Sequence, residues 1–140
     1  FRPKPLVGQL TAWNYFESLK NPRNAKFVKS WQDWVKKEKL KDYPVTDDPM
    51  EASYIGIHLW KQAVEKAKST KTDEVRKALI GQKFAAPDGY TVEVLENQYL
   101  SKPVFIGQIN DKAQFDVVWK SKGLVPGESW SPYIPKPKNA

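Results

Sequence analysis

At 140 residues, with 40% hydrophobic and 13% aromatic content, the chain is long enough for one folded domain and too apolar for a disordered segment. It has no cysteine, which excludes disulfides, thiolate nucleophiles and cysteine metal sites, and its apolar runs fall far short of the roughly 20 residues that cross a bilayer. The formal charge of +7 raises nucleic acid as a partner, but the lysines alternate with acids, and Arg2, Arg23 and Arg76 are the only forked donors. A solvated basic surface is the plainer reading.

The start, Phe1 to Pro5, is broken by proline, and no apolar N-terminal segment has the form of a signal peptide. The chain therefore reads as cytosolic, already processed, or cut from something longer. Leu6 to Trp13 reads as a strand, and Asn14 to Lys20 as a loop. Asn21 before Pro22 signals a helix start. Phe27, Val28, Trp31, Trp34 and Val35 then recur at helical spacing, giving an amphipathic helix that ends near Leu40, with both tryptophans expected in the core.

Asp48-Pro49-Met50-Glu51 has the spacing of a capping box, so a second helix is predicted over about 49–68 with Asp48 as its cap. From Met50 to Trp60 almost every position is apolar or small. A helix without a wet face needs a wall on every side, more than so short a chain supplies. Thr72 is the expected cap of a third helix, Asp73 to Ile80, stopped by Gly81.

After Pro87-Asp88-Gly89 the period becomes two. Thr91 to Leu95, Pro103 to Ile109 and Gln114 to Trp119 read as strands, the last two joined by a hairpin turn at Asn110 to Ala113. That hairpin is expected to set Val104, Phe105 and Ile106 against Phe115, Val117 and Val118. The proline-rich tail from residue 121 should wrap over a surface. One strand, three helices and a three-stranded β segment make a lopsided α/β unit, a piece of a sheet protein whose other strands lie elsewhere.

No catalytic constellation emerges. His58 is the single histidine, on a helix beside Leu59 and Trp60, and it reads as a packed or partly exposed helix residue. Asp47-Asp48 is explained as a cap with a neighbouring acid. The isolated glycines make no phosphate loop. No catalytic residue, metal or cofactor is expected.

The phrases "AWNYFESLKNPRNAKFVKSW", "DDPMEASYIGIHLWKQAVEKA", "VRKALIGQKFAAPDGYTVEVLENQYLSKPVFIGQI" and "AQFDVVWKS" run in one order along the chain. Together they resemble the C-terminal third of the urea and short-chain-amide binding proteins, which are type I periplasmic solute-binding proteins of ABC transporters in the branched-chain-amino-acid-like group. The likeness runs from about Gly8 to Trp119, and the tail resembles the family only weakly. It implies two α/β lobes joined by three crossovers, a solute held in the cleft, a membrane permease as partner, a periplasmic or extracytoplasmic location, and no enzymatic activity.

On that resemblance, residues of about 6–85 belong to the first lobe, about 90–120 cross back to the second, and 121–140 form a tail. The all-round apolar helix would pack inside the complete first lobe. Trp13, Asn14 and Tyr15 lie just past the crossover strand and are the candidate solute-binding residues, because a small planar amide needs an aromatic wall and a few hydrogen bonds. Wholly structural roles for Trp13 and Tyr15 in the lobe core are the competing reading. The alternative function, from a different class, is a basic interaction or nucleic-acid-binding module, recognisable by polyanion binding with a steep salt slope.

Overall fold

The computed structural model describes residues 4–41, 45–131 and 133–135. After a short 3-10 turn at Lys4–Leu6, the elements run β1 (Leu10–Trp13), α1 (Pro22–Lys37), α2 (Asp48–Ala67), α3 (Thr72–Leu79), β2 (Lys83–Ala85), β3 (Thr91–Val94), β4 (Leu100–Ser101), β5 (Phe105–Ile109) and β6 (Phe115–Lys120). The strands form two separate antiparallel sheets, ordered β1-β5-β6 and β2-β3-β4.

α2 is the centre of the molecule. Ile55 and Leu59 pack onto Ala86, Val92 and Val94 of the β2-β3-β4 sheet, with Leu79, Phe84 and Leu100 around them. One turn further on, Ala63 meets Val75 and Ala78 of α3. The small side chain at 63 lets the two helices approach, and the i, i+4, i+8 spacing of 55, 59 and 63 puts all three on one face. On the opposite face Ile57 and Trp60 are 68% and 54% exposed, while Tyr54, at 39%, rests at its border against Phe27 of α1 with ring centroids 5.0 Å apart. The described residues supply no wall over Ile57 and Trp60. His58 is half-buried and stacks on Phe84 with ring centroids 4.8 Å apart, a packed role as expected.

The helix ends correct several expectations. Asp47 caps α2, its side chain accepting the Met50 amide at 2.9 Å, and Asp48 is the first helical residue. With the cap one residue earlier, Pro49 falls at the second helical position, and the carboxyl of Asp48 turns inward. Glu51 does not complete a capping box, because it is buried against Lys102. α3 begins at Thr72 with Lys71 at its cap and no side-chain bond there. Gly81, at φ +77°, ends it as expected. α1 stops at Lys37, before Leu40: Lys39 takes a left-handed φ of 57°, Leu40 N–H donates to Val35 and Lys39 N–H to Lys36. This is a Schellman ending in which lysine replaces the usual glycine. Trp34 is 46% exposed, lying against Trp31 at 5.1 Å on the helix surface, outside the core.

The strands differ in detail from their sequence reading. β1 is shorter because the 3-10 turn takes residues up to Leu6. The three predicted strands exist but do not share a sheet: β3 pairs with β2 and β4, two short strands with too few residues to show alternation. The β5–β6 hairpin turns where expected, in a different register. Ile109 faces Phe115, Gly107 faces Val117 and Ile106 faces Trp119, with an irregularity between Ile106 and Gly107. The tail does more than drape. Val125 forms an antiparallel bridge with Lys102, and Gly127 N–H donates to Leu100, so this stretch extends the β2-β3-β4 sheet by a few bonds.

Candidate functional site

β1 and β5 run side by side, Trp13 opposite Phe105, and the chain leaves β1 between the start of α2 and the β5–β6 turn. A cleft of about 190 Å³ opens there, lined among others by Trp13, Glu17, Asp47, Asp48 and Gln114. Of the three residues singled out in sequence, Trp13 and Tyr15 line it, while Asn14 is outside its lining.

Trp13 is 43% exposed and presents its indole to the cleft. The Asn14 side-chain amide donates to the Pro103 carbonyl at 2.6 Å, tying the end of β1 to the start of β5. Tyr15 is 1% exposed; its hydroxyl donates to Asn24 Oδ1 at 2.7 Å and lies 2.8 Å from Thr46 Oγ1. Burial pushes that phenol well above its ordinary pKa, so it stays a neutral donor. Of the three, Trp13 alone offers open surface.

The sequence reading passed over the polar half of the cleft. Glu17 accepts Thr46 Oγ1–H at 3.0 Å through Oε2, and the Thr46 amide also donates to that oxygen. Its Oε1 accepts Gln114 Nε2–H at 3.2 Å. Gln114 comes from just past the β5–β6 turn, 97 residues away in sequence, so no local motif could have joined them. Asp48 is half-buried; burial raises its carboxyl above the usual range, opposed by Lys102 and by the approaching amides of Asn14 and Tyr15. The described lining contains no lysine or arginine. The surface is therefore an aromatic edge set among hydrogen-bond acceptors, suited to a ligand rich in N–H donors and hostile to an anion. It contains no nucleophile–base pair, and among the described residues no group of histidine or carboxylate side chains is arranged to hold a metal.

A wider recess of about 890 Å³ lies on the far side of β5 and β6, against Asn21, Asp88 and Tyr90. Arg23 spans the mouth of its loop, donating to the Tyr90 carbonyl at 3.0 Å and to that of Gly89. This anchors the 88–90 turn to α1 and leaves the guanidinium engaged.

Comparison with known proteins supplies the family. Residues 1–136 match the periplasmic binding protein domain. Solved structures of similar fold include an ABC-transporter solute-binding protein of Rhodopseudomonas palustris with benzoate (TM-score 0.73, 18% identity, 88% of this chain and 32% of that one). Another, from strain HaA2 with p-hydroxybenzoic acid, gives a TM-score of 0.66 at 21% identity over 86% of this chain and 32% of that one. A leucine binding protein of Thermotoga maritima gives 0.62 at 20% identity over 82% and 31%. A curated relative named limonene hydroxylase, from Geobacillus stearothermophilus, is 32% identical over 125 residues, 89% of this chain and 22% of its own length. The chain thus spans about a third of the solved relatives and about a fifth of the curated one. Matched to the family pattern over nearly all its residues, and folded like the corresponding third of its solved members, the chain belongs to the periplasmic binding protein domain family.

Proposed function

We propose that this chain is the C-terminal part of an extracytoplasmic solute-binding component of an ABC importer, with urea or a short-chain amide as solute and a membrane permease as partner. The observation that carries the solute class is the cleft lining, where Trp13 stands among the acceptors Glu17, Asp47 and Asp48 and no lysine or arginine forms part of the wall. A carboxylate ligand, such as the benzoates named for two relatives, would meet like charge on this wall. A neutral, donor-rich amide would not. Trp13 supplies the flat apolar contact, while Asn14 and Tyr15 fix the backbone that presents it.

In this reading the first lobe continues past residue 90, because Val92 and Val94 of β3 pack beneath α2. The return crossing then lies at Lys102–Pro103, where the β2-β3-β4 sheet gives way to β5. The exposed Ile57 and Trp60 face is covered in the intact protein by the rest of the first lobe.

Isothermal titration of the intact protein with urea, acetamide, leucine and benzoate tests the proposal. Urea or acetamide should bind, and Trp13→Ala should weaken them at least about tenfold, the loss of one well-packed aromatic contact. Binding of benzoate or leucine with no response to either amide would remove the solute assignment. The 140-residue chain alone should bind urea no tighter than about millimolar. A ligand of so few atoms needs nearly every donor and acceptor satisfied on all sides, and one wall leaves it wet.

A further inference from the structure

The polar wall of the cleft is drawn from three separate stretches of chain, and the two oxygens of its Glu17 carboxylate are not equally secured. Oε2 accepts the Thr46 amide and, at 3.0 Å, the Thr46 hydroxyl; Thr46 is buried, so that half of the carboxylate is fixed from within. Among the described residues Oε1 has one donor, Gln114 Nε2–H at 3.2 Å, longer than the roughly 2.9–3.0 Å typical of such a bond. Gln114 is itself held in place. Its amide donates to Asn110 Oδ1 at 3.0 Å, and its carbonyl accepts the Asn110 amide at 2.9 Å. Both side chains line the cleft, and both are half-buried.

A carboxylate only accepts, so the Gln114 side chain must turn its NH2 group, not its oxygen, towards Glu17. Gln114 then keeps a second N–H and Glu17 Oε1 a second lone pair, a donor and an acceptor 3.2 Å apart on one wall. The complement of that pair is the edge of an amide whose N–H lies on the same side as its C=O. Urea, a primary amide and a lactam have such an edge. An open-chain secondary amide does not, because its trans form sets N–H and C=O on opposite sides. A carboxylate has no donor for Glu17 and brings like charge towards it.

We infer that Glu17 and Gln114 form a two-point recognition element for a cis amide edge, Glu17 Oε1 accepting the solute N–H while the second Gln114 N–H donates to the solute oxygen. The inference rests on the amide reading of the cleft and narrows it, from short amides at large to those with N–H and C=O on one edge. Such a solute docks without breaking a bond of the wall: the Gln114–Glu17 bond stays, and two bonds are added beside it. Thr46 holds the far oxygen of the carboxylate, so Oε1 keeps its aim before and after docking. Trp13 lines the same cleft and supplies an aromatic surface for the plane of the amide. A purely structural bond, fastening the β5–β6 turn to the segment after β1, would carry no preference among solutes.

Isothermal titration of the intact protein with acetamide, 2-pyrrolidinone and N-methylacetamide tests this, with leucine and benzoate alongside. Acetamide should bind about tenfold tighter than N-methylacetamide, which reaches one partner at a time and so forfeits one hydrogen bond. 2-Pyrrolidinone, whose ring holds the amide cis, should also bind tighter than N-methylacetamide, although it is larger. Gln114→Met, unbranched and of similar length, removes the donor: acetamide should weaken about tenfold, and the gap between cis and trans amides should close. A thermal melt checks the fold of the variant, and the solute series on the parent sequence needs no variant at all. Equal affinities for acetamide and N-methylacetamide, or a gap that survives Gln114→Met, overturn the inference and leave the proposed solute class standing. Binding of leucine or benzoate with no response to any amide overturns both, and the missing amide response tells that failure from the first.

Discussion

The Phe16 ring lies flat across Gly107: a Cβ added at 107 would stand 2.7 Å from Phe16 Cζ and 3.0 Å from two further ring carbons. Phe16 is buried and also packs on Phe115, with ring centroids 4.9 Å apart, so it has nowhere to retreat. Gly107→Ala should cost about 1–3 kcal/mol by overpacking. Urea denaturation would measure it, and adding Phe16→Leu should recover part of the loss. A Gly107→Ala chain as stable as the parent sequence would show that the ring does not bear on the strand.

Asp47→Ala should destabilise the chain by about 1 kcal/mol, because the Met50 amide loses its cap. Asp48→Asn should not do so at pH 8. Its carboxyl is harder to ionise in the folded chain than outside it, so removing the charge removes a burden. Thermal melts of the two variants separate the roles, and equal losses from both would contradict the placement of the cap.

Glu51 gives stability an unusual pH slope. Its folded pKa, about 7, lies above the ordinary 4.5, so the folded chain binds this proton more tightly than the unfolded one. That contribution is complete below about 4.5 and is lost as the pH rises through about 7. The loss is on the order of 3 kcal/mol. Denaturant midpoints should therefore fall between pH 5 and 8, and Glu51→Gln should flatten the curve and raise stability at its alkaline end. A slope unchanged in the variant would assign it to other groups.

Ala113 closes the β5–β6 turn with a left-handed φ of 58°. Asn110 organises the same turn, its Oδ1 accepting the Lys112 and Gln114 amides at 3.0 Å each. A Cβ is disfavoured at such a φ, so Ala113→Gly should raise stability by about 0.5–1 kcal/mol in spite of the greater freedom of the unfolded glycine. A lowered melting temperature would mean the turn relaxes around alanine at no cost.

What could be read from sequence was whatever repeats locally. The polar interval 110–113 placed the hairpin, whereas the buried stripe of 55, 59 and 63 on α2 was hidden in a run that reads as apolar on every side. The cap of α2 was misread by one residue because Asp47 and Asp48 are chemically identical, and only the buried Lys102 and the β1 amides distinguish them. Trp34 carried the right period for the core but lies on a surface that this stretch of chain does not cover. The cleft was half legible: Trp13 is an aromatic at a strand end, whereas Gln114 reaches Glu17 only through the tertiary fold. Lys102 was invisible for the same reason, meeting Glu51 across 51 residues.

The pairing of β1 with β5 also sets an order of events during synthesis. Asn14 and Pro103, which join the two strands, are 89 residues apart, while α2, α3 and the short strands after them lie wholly between. A ribosome making roughly 5–20 residues per second exposes β1 for several seconds before its partner exists. During that interval the helices and the β2-β3-β4 sheet can assemble locally, whereas β1 waits for β5. Within this stretch, β1 is thus made before the elements that fold between it and its partner and joins β5 only after them, and a chaperone acting on the nascent chain would have most reason to hold it there.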